Sequence, residues 1–447
     1  MRPKLSFAGT VEGYPGVFGP GAFRRFSVSS LAGLSMLGLL SGGCAPFDGG
    51  PPAQTATAAP PAAAAPSPTP AAAPAAPAPV IPVPFDEAVL KAANSVFSSK
   101  TVPAPTAASG RHQVVIDPLV DGMTGSQSTA TRRIQSRIVD LVKTQYPQFE
   151  IVPFSTAAVA AAPLVLVGTF TPVNAEGKTA GTREAYRFCL VLADLKSGKT
   201  VAKAVARSKL DGVDTTPTPF FQDSPAWTGD KATEGYITTC QGTKVGDPIS
   251  PAYVDGILTA ALIADAIDAY DRSDYREALD LYRAAALSPA GDQLRAYNGI
   301  YLTNLKLGRR DEAAAAFGDI VNYGLRNNRL AVKLLFKPGS TAFVPDQLVS
   351  GSYDEWLRQI AESAARDSAC LEVAGHTSPT GPAALNDRLS LLRAEFVKSR
   401  LDREEPVLGA RTIATGAGSR DNLIGTGRDD VTDALDRRVE FKVIPGC

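Results

Sequence analysis

The chain has 447 residues, 44% of them hydrophobic and 20% charged, with 45 basic side chains against 45 acidic ones. That length predicts several domains. The charge balance excludes a protein drawn to nucleic acid by its overall charge and a polyelectrolyte too charged to fold, and no apolar run is long enough for a membrane-spanning helix.

Residues 1–43 read as an export signal. Arg2, Lys4, Arg24 and Arg25 precede an uncharged stretch from Phe26 to Leu40, about the length of a signal-peptide apolar core. Leu40-Ser41-Gly42-Gly43-Cys44 follows and resembles the lipobox of bacterial lipoproteins, in which the Cys thiol is diacylglycerated and becomes the new N-terminus. The resemblance implies a lipidated Cys44 and a chain anchored to a membrane rather than spanning it. Ala45 is similar to the outer-membrane sorting signal of such proteins, which implies an outer-membrane anchor facing the periplasm. Residues 44–84 then form a tether. Positions 51–84 hold 12 Pro in 34 residues, mostly with Ala, and no charge occurs between Asp48 and Asp86. Such a segment buries no core and prefers polyproline II. At roughly 3.1 Å per residue it reaches on the order of 100 Å.

Residues 85–252 alternate strand and helix, an α/β pattern. Apolar strands are expected at 113–117, 149–152, 164–168, 188–192 and 201–205. Ile134, Ile138, Leu141 and Val142 give a helical spacing between 129 and 144. Residues 214–252, rich in Pro, Asp, Gly and aromatics, read as a long ordered loop or a partner surface. Residues 253–329 are Ala-rich helix. The stretch 273–282 lines up with 308–317, with Ala278 and Ala313 each followed four residues later by an aromatic, Tyr282 and Phe317. The small-then-aromatic spacing resembles a tetratricopeptide helix pair and predicts a short helical bridge.

From 330 to the end the strand–helix pattern returns. Strands are expected at 332–336, 370–377, 413–416 and 438–444, and helices at 353–365 and after Gly381-Pro382. In the second helix Leu385, Leu389, Leu392 and Phe396 predict the buried stripe, with Asn386, Ser390 and Arg393 as a polar stripe at its edge.

Three blocks here, Gly375-His376-Thr377, Asn386 to Ala394 and Asp436 to Phe441, resemble the OmpA-like peptidoglycan-binding family over about 115 residues. The fold class is then α+β multidomain, ending in a βαβαβ-type sandwich. The resemblance implies noncovalent binding of a diaminopimelate-type stem peptide, with Arg393 on its carboxylate and Asn386 adding a neutral hydrogen bond. Thr377 and Ser378 lie at the strand exit, and Arg437 and Arg438 brace the site or the strand. Where the family has an Asp after Gly-x-Thr to meet the ligand ammonium, this chain has Ser378, and the early Phe-Asp block reads Phe336-Lys337-Pro338-Gly339-Ser340. His376 reads as a strand-end packing residue.

With two His residues in separate domains and no zinc, phosphate-loop or nucleophile-elbow motif, neither catalysis nor a metal or cofactor is expected. The competing class is a periplasmic scaffold with a protein partner on residues 85–329. If Cys44 is lipidated, four thiols remain in an oxidising compartment, with three possible pairings. Cys189–Cys240 and Cys370–Cys447 are expected, because each closes a loop within one domain.

Overall fold

The computed structural model describes residues 81–105, 109–161, 163–227, 229–346, 350–427 and 432–447. The expected signal, Cys44 and nearly all of the tether lie outside them. Among the described residues no helix is long and apolar enough to cross a membrane.

The first sheet holds β1 (His112–Ile116), β2 (Val120–Asp121), β3 (Phe149–Val152), β4 (Leu164–Val173), β5 (Ala185–Asp194) and β6 (Lys199–Lys209). Its order is β3-β1-β4-β5-β6, with β2 beside β4. β1 runs parallel to β3 and β4, and β4-β5-β6 is an antiparallel meander. Burial on both faces explains why β4 is apolar nearly throughout rather than alternating. One face is covered by α1 (Phe85–Phe97) and α2 (Thr129–Gln145), whose Ser128 and Thr131 form a reciprocal cap. α3 (Thr156–Ala160) lies on the other.

The 214–252 segment is not a loop. It contains α4 (Pro219–Asp223) and α5 (Lys231–Gln241). Asp230 caps α5 by accepting from Thr233 N at 2.8 Å, and Tyr236 and Cys240, one turn apart, face the sheet. Pro, Gly and Asp punctuate this stretch densely, but here they are helix starts and caps.

α6 (Pro251–Asp271) joins two cores. Tyr253, Ile257 and Ala261 pack on the first sheet, while Ile263, Ala266, Ile267 and Tyr270 belong to the second core. A helix buried on different sides along its length has no single apolar stripe. α7 (Tyr275–Ala286), α8 (Leu294–Lys306) and α9 (Arg310–Arg326) follow, each packing on its predecessor. Ala278, Tyr282, Ala313 and Phe317 are all buried. The Tyr282 ring lies on the Gly299 backbone, where a Cβ would collide with it.

The second sheet has the order β7-β10-β8-β9: β7 (Arg329–Leu330), β8 (Cys370–Gly375), β9 (Thr412–Gly416) and β10 (Val439–Ile444). β8 and β9 are parallel, and β10 is antiparallel to β7 and β8. α10 (Tyr353–Arg366) and α11 (Ala383–Glu404) pack with it. The strand expected at 332–336 does not form. Its backbone turns to the 225–227 stretch instead, with Trp227 N donating to Ala331 O and Lys333 N to Pro225 O, and the two-residue β7 takes the sheet position. The core of this sheet is continuous with that of α6–α9: Trp356 stacks on Phe317 at 5.2 Å and donates from Nε1 to the Tyr301 hydroxyl at 3.0 Å. The structure joins Cys189 to Cys240 and Cys370 to Cys447, the two pairs expected, with Cα separations of 6.0 and 5.7 Å.

Candidate ligand site at the end of the second sheet

The site begins with two glycines. β8 ends at Gly375 and β9 at Gly416, side by side, and α11 crosses so close that a Cβ on Gly375 would collide with the Ser390 carbonyl. Only the backbone of a strand and a small polar helix residue fit there. The Ser390 hydroxyl donates to Asp387 O at 2.8 Å and accepts from Gly418 N at 2.9 Å.

This contact reverses the expected polarity of α11. Asn386, Ser390 and Arg393 are buried, at 6%, 0% and 0% exposure, while Leu385 and Leu392 are 59% and 41% exposed. Leu385 and Leu392 of the expected stripe therefore lie on an outer face and Leu389 is half-buried, while Phe396 packs against the core beside Phe343 at 5.3 Å and the polar stripe faces the sheet. Ala394, Val397 and Leu401 supply the apolar part of the inner face.

Arg393 is correspondingly neither solvated nor at an edge. Nε donates to Ser340 O at 2.9 Å, Nη1 to His376 O at 2.9 Å and Nη2 to Lys337 O at 3.0 Å. Its guanidinium also lies over the Phe336 ring, 5.2 Å from the centroid. It ties the 336–340 segment, the departure from the family pattern, to the exit of β8. Arg393 thus forms a buried clasp on three backbone carbonyls.

The turn after β8 is fixed from several sides. Thr377 N donates to Gly418 O at 2.9 Å, and Asn422 Nδ2 donates to Thr377 O at 2.8 Å. The Ser378 and Thr380 hydroxyls share a hydrogen bond of 3.1 Å, and Asn386 Nδ2 donates to Thr380 O at 3.0 Å. Arg438 pairs with Glu440 at 2.7 Å in the interior and lies over the Trp227 ring, so it braces β10 against the 225–227 stretch. Arg437 is buried, and its carbonyl accepts from Phe336 N at 3.2 Å.

His376 is a packed strand-end residue, 3% exposed. Burial, with the Arg438 charge adding to it, pushes its pKa down to about 3, so the ring is neutral. Neither ring nitrogen has a hydrogen-bond partner among the described residues.

Three further residues, Asp436, Asn422 and Arg183, shape the site. The buried Asp436 carboxylate accepts from the backbone N–H groups of Leu423, Ile424 and Gly425 at 2.6, 3.0 and 2.7 Å, a nest that shapes the 422–425 loop. Asn422 links that loop to Thr377. Arg183, just before β5 in the first domain, reaches the same loop, with Nη2 donating to Asn422 O at 3.1 Å. Asp436 begins the third motif block, which is a sequence signal for it; Arg183 carries none.

No family model matches the chain. Over 99 residues the chain is 35% identical to the outer membrane protein Omp38 of Acinetobacter baumannii, which is 22% of this chain. The chain thus spans about a quarter, 27%, of the length of the curated relatives it matches. Among solved structures it is similar to the peptidoglycan-associated lipoprotein from Burkholderia pseudomallei, at 20% identity and a TM-score of 0.20, covering 25% of this chain and 87% of that one. It is also similar to the cell wall anchor of the T6SS from Pseudomonas aeruginosa, at 19% identity and a TM-score of 0.21, covering 29% of this chain and 97% of that one. The three motif blocks and the match to Omp38 together identify the C-terminal domain of this chain as OmpA-like.

Proposed function

We propose that this protein is an outer-membrane lipoprotein, anchored through Cys44 and facing the periplasm, whose C-terminal domain binds peptidoglycan noncovalently and so links the envelope to the wall. It acts by binding, not catalysis. The lipobox-like leader and the description of Omp38 as an outer membrane protein support the location. The observation that carries the binding role is the convergence of separated motif blocks on one turn: Arg393 on His376 O, Asn386 on Thr380 O and the Asp436 nest behind them. In this reading Thr377, Ser378 and Asn386 meet a diaminopimelate-type stem peptide. Arg393 contributes its charge from beneath the turn, and Arg437 and Arg438 hold the strand.

A second reading, a scaffold that binds a periplasmic protein through residues 85–329, is favoured by one observation. Thr377, Ser378, Asn386, Arg393, Arg437 and Arg438 are each at most 6% exposed. Titration calorimetry of the full-length chain with a soluble diaminopimelate stem peptide separates the two. Wall binding predicts saturable heat, weakened roughly 3- to 10-fold by Asn386→Ala through loss of a neutral hydrogen bond. Absence of heat at any peptide concentration favours the scaffold.

A further inference from the structure

A cleft of about 670 Å³ opens between the first sheet and the segment that enters the C-terminal domain. Phe170 and Tyr186 wall it on one side, Phe221 and Trp227 on another, Leu335 and Phe336 on a third. Its size lies within the roughly 300–1,000 Å³ typical of small-molecule sites, and its walls are mainly apolar and aromatic, as such sites are. At roughly 30 Å³ per water-sized unit, it holds on the order of twenty heavy atoms, the size of one long single-chain amphiphile.

The wall also holds the exposed Lys337 and Asp346 and the buried Arg437, and among its charged groups is one buried lysine. Lys333 is 8% exposed, and its ammonium donates to the Phe221 carbonyl at 2.6 Å. The acid that influences it, Asp223, is engaged by Lys306 at 2.9 Å and by the Tyr270 hydroxyl at 2.6 Å. A cation buried without a carboxylate partner is unfavourable, and burial holds Lys333 down to about 7. Beside it Trp227, 6% exposed, has an indole N–H with no hydrogen-bond partner among the described residues. Asp121, also in the wall, does not compete for these donors. Its carboxylate accepts from Met123 N, Thr124 N and the Thr124 hydroxyl of its own turn.

A buried cation and a buried donor at an apolar cleft complement an anionic head on an apolar body. A carboxylate offers acceptors to both. We propose that this cleft binds a long-chain fatty acid, with the carboxylate at Lys333 and Trp227 and the alkyl chain along Phe170, Tyr186, Phe221 and Leu335. The cleft borders the wall-site residues, with Arg437 in its lining, Phe336 under the Arg393 guanidinium and Trp227 under that of Arg438, but its recognition of a carboxylate does not depend on the wall-binding reading.

The chain has two tryptophans, Trp227 in the cleft and Trp356 in the shared core, so fluorescence reports position. Dibromostearic acid, a contact quencher, is titrated into the full-length protein. Saturable quenching is expected, retained in Trp356→Phe and lost in Trp227→Phe. Lys333→Met keeps the apolar stem, and replacing a buried charge with an apolar group generally preserves folding. It should weaken binding of the acid roughly tenfold or more, as loss of a charged hydrogen bond implies. Binding of uncharged hexadecanol, read by displacement, should change by less than about twofold. The proposal is overturned by absence of saturable quenching in the parent, by undiminished quenching in Trp227→Phe, or by a folded Lys333→Met that binds the acid as tightly as the parent.

Discussion

At the scale of single residues, the motif identities were legible and their exposure was not. Gly375-His376-Thr377 and Asn386 to Ala394 can be found by inspection, yet spacing alone puts Arg393 at a helix edge. What buries it is the 336–340 segment, whose carbonyls at Lys337 and Ser340 it holds from more than fifty positions away. His376 makes a pH prediction. Its folded pKa, about 3, lies below the roughly 6.5 of an unfolded histidine, so protons favour the unfolded chain. The associated stability is complete above about pH 6.5 and is lost as pH falls toward 3. Denaturant unfolding at pH 7.5 and pH 4 should show the parent losing about 2–3 kcal/mol more than His376→Phe across that interval. Lys333 and Asp117 also titrate with shifted values but are common to both proteins, so they cancel in the difference. An equal loss in the two proteins would remove His376 from the account.

At the scale of elements, helix and strand periods located most of both sheets, and the errors share one cause. Hydrophobicity places a strand at 332–336 and leucines on the inner face of α11, and in both places a specific backbone contact prevails. For α11 that contact is the approach of Gly375 and Gly416, which admits Ser390 and excludes leucine. Gly375→Ala should therefore cost about 3 kcal/mol or more, since the obstruction is helix backbone and cannot rotate away. Leu385→Ser and Leu392→Ser, on the outer face, should stay within about 0.5 kcal/mol. Thermal or denaturant unfolding of the three variants checks this, and a large loss at Leu385 with tolerance at Gly375 would restore the leucine stripe to the core.

At the scale of the whole molecule, hydrophobic patterning separates an α/β part and a helical part, and the motif blocks mark an OmpA-like part, but packing does not respect the border at 329/330. Trp356 of the C-terminal domain fills the space between Tyr301 and Phe317 of α8 and α9. Such a contact is invisible to any local pattern, because the partners lie some forty or more positions apart and neither is complete alone. Wall-binding assays on residues 330–447 in isolation would thus expose half of a core. The last strand has a second tie, the Cys370–Cys447 bridge with a sequence separation of 77. Cys447→Ser, prepared under oxidising conditions, should lose about 2–4 kcal/mol of stability relative to the parent. No difference by denaturant unfolding would mean that β10 is held by its ladder alone.

The central claim concerns the full-length chain and the wall, and the missing acid at Ser378 makes it testable in both directions. The measurement is the fraction of protein that sediments with purified peptidoglycan, for the parent, Asn386→Ala and Ser378→Asp. The account predicts that the parent is retained and that Asn386→Ala is retained less. Ser378→Asp should be retained more, because it supplies a partner for the ligand ammonium, and its gain should shrink as salt screens that charge. A parent that stays in the supernatant, or three folded proteins that sediment alike, would contradict it.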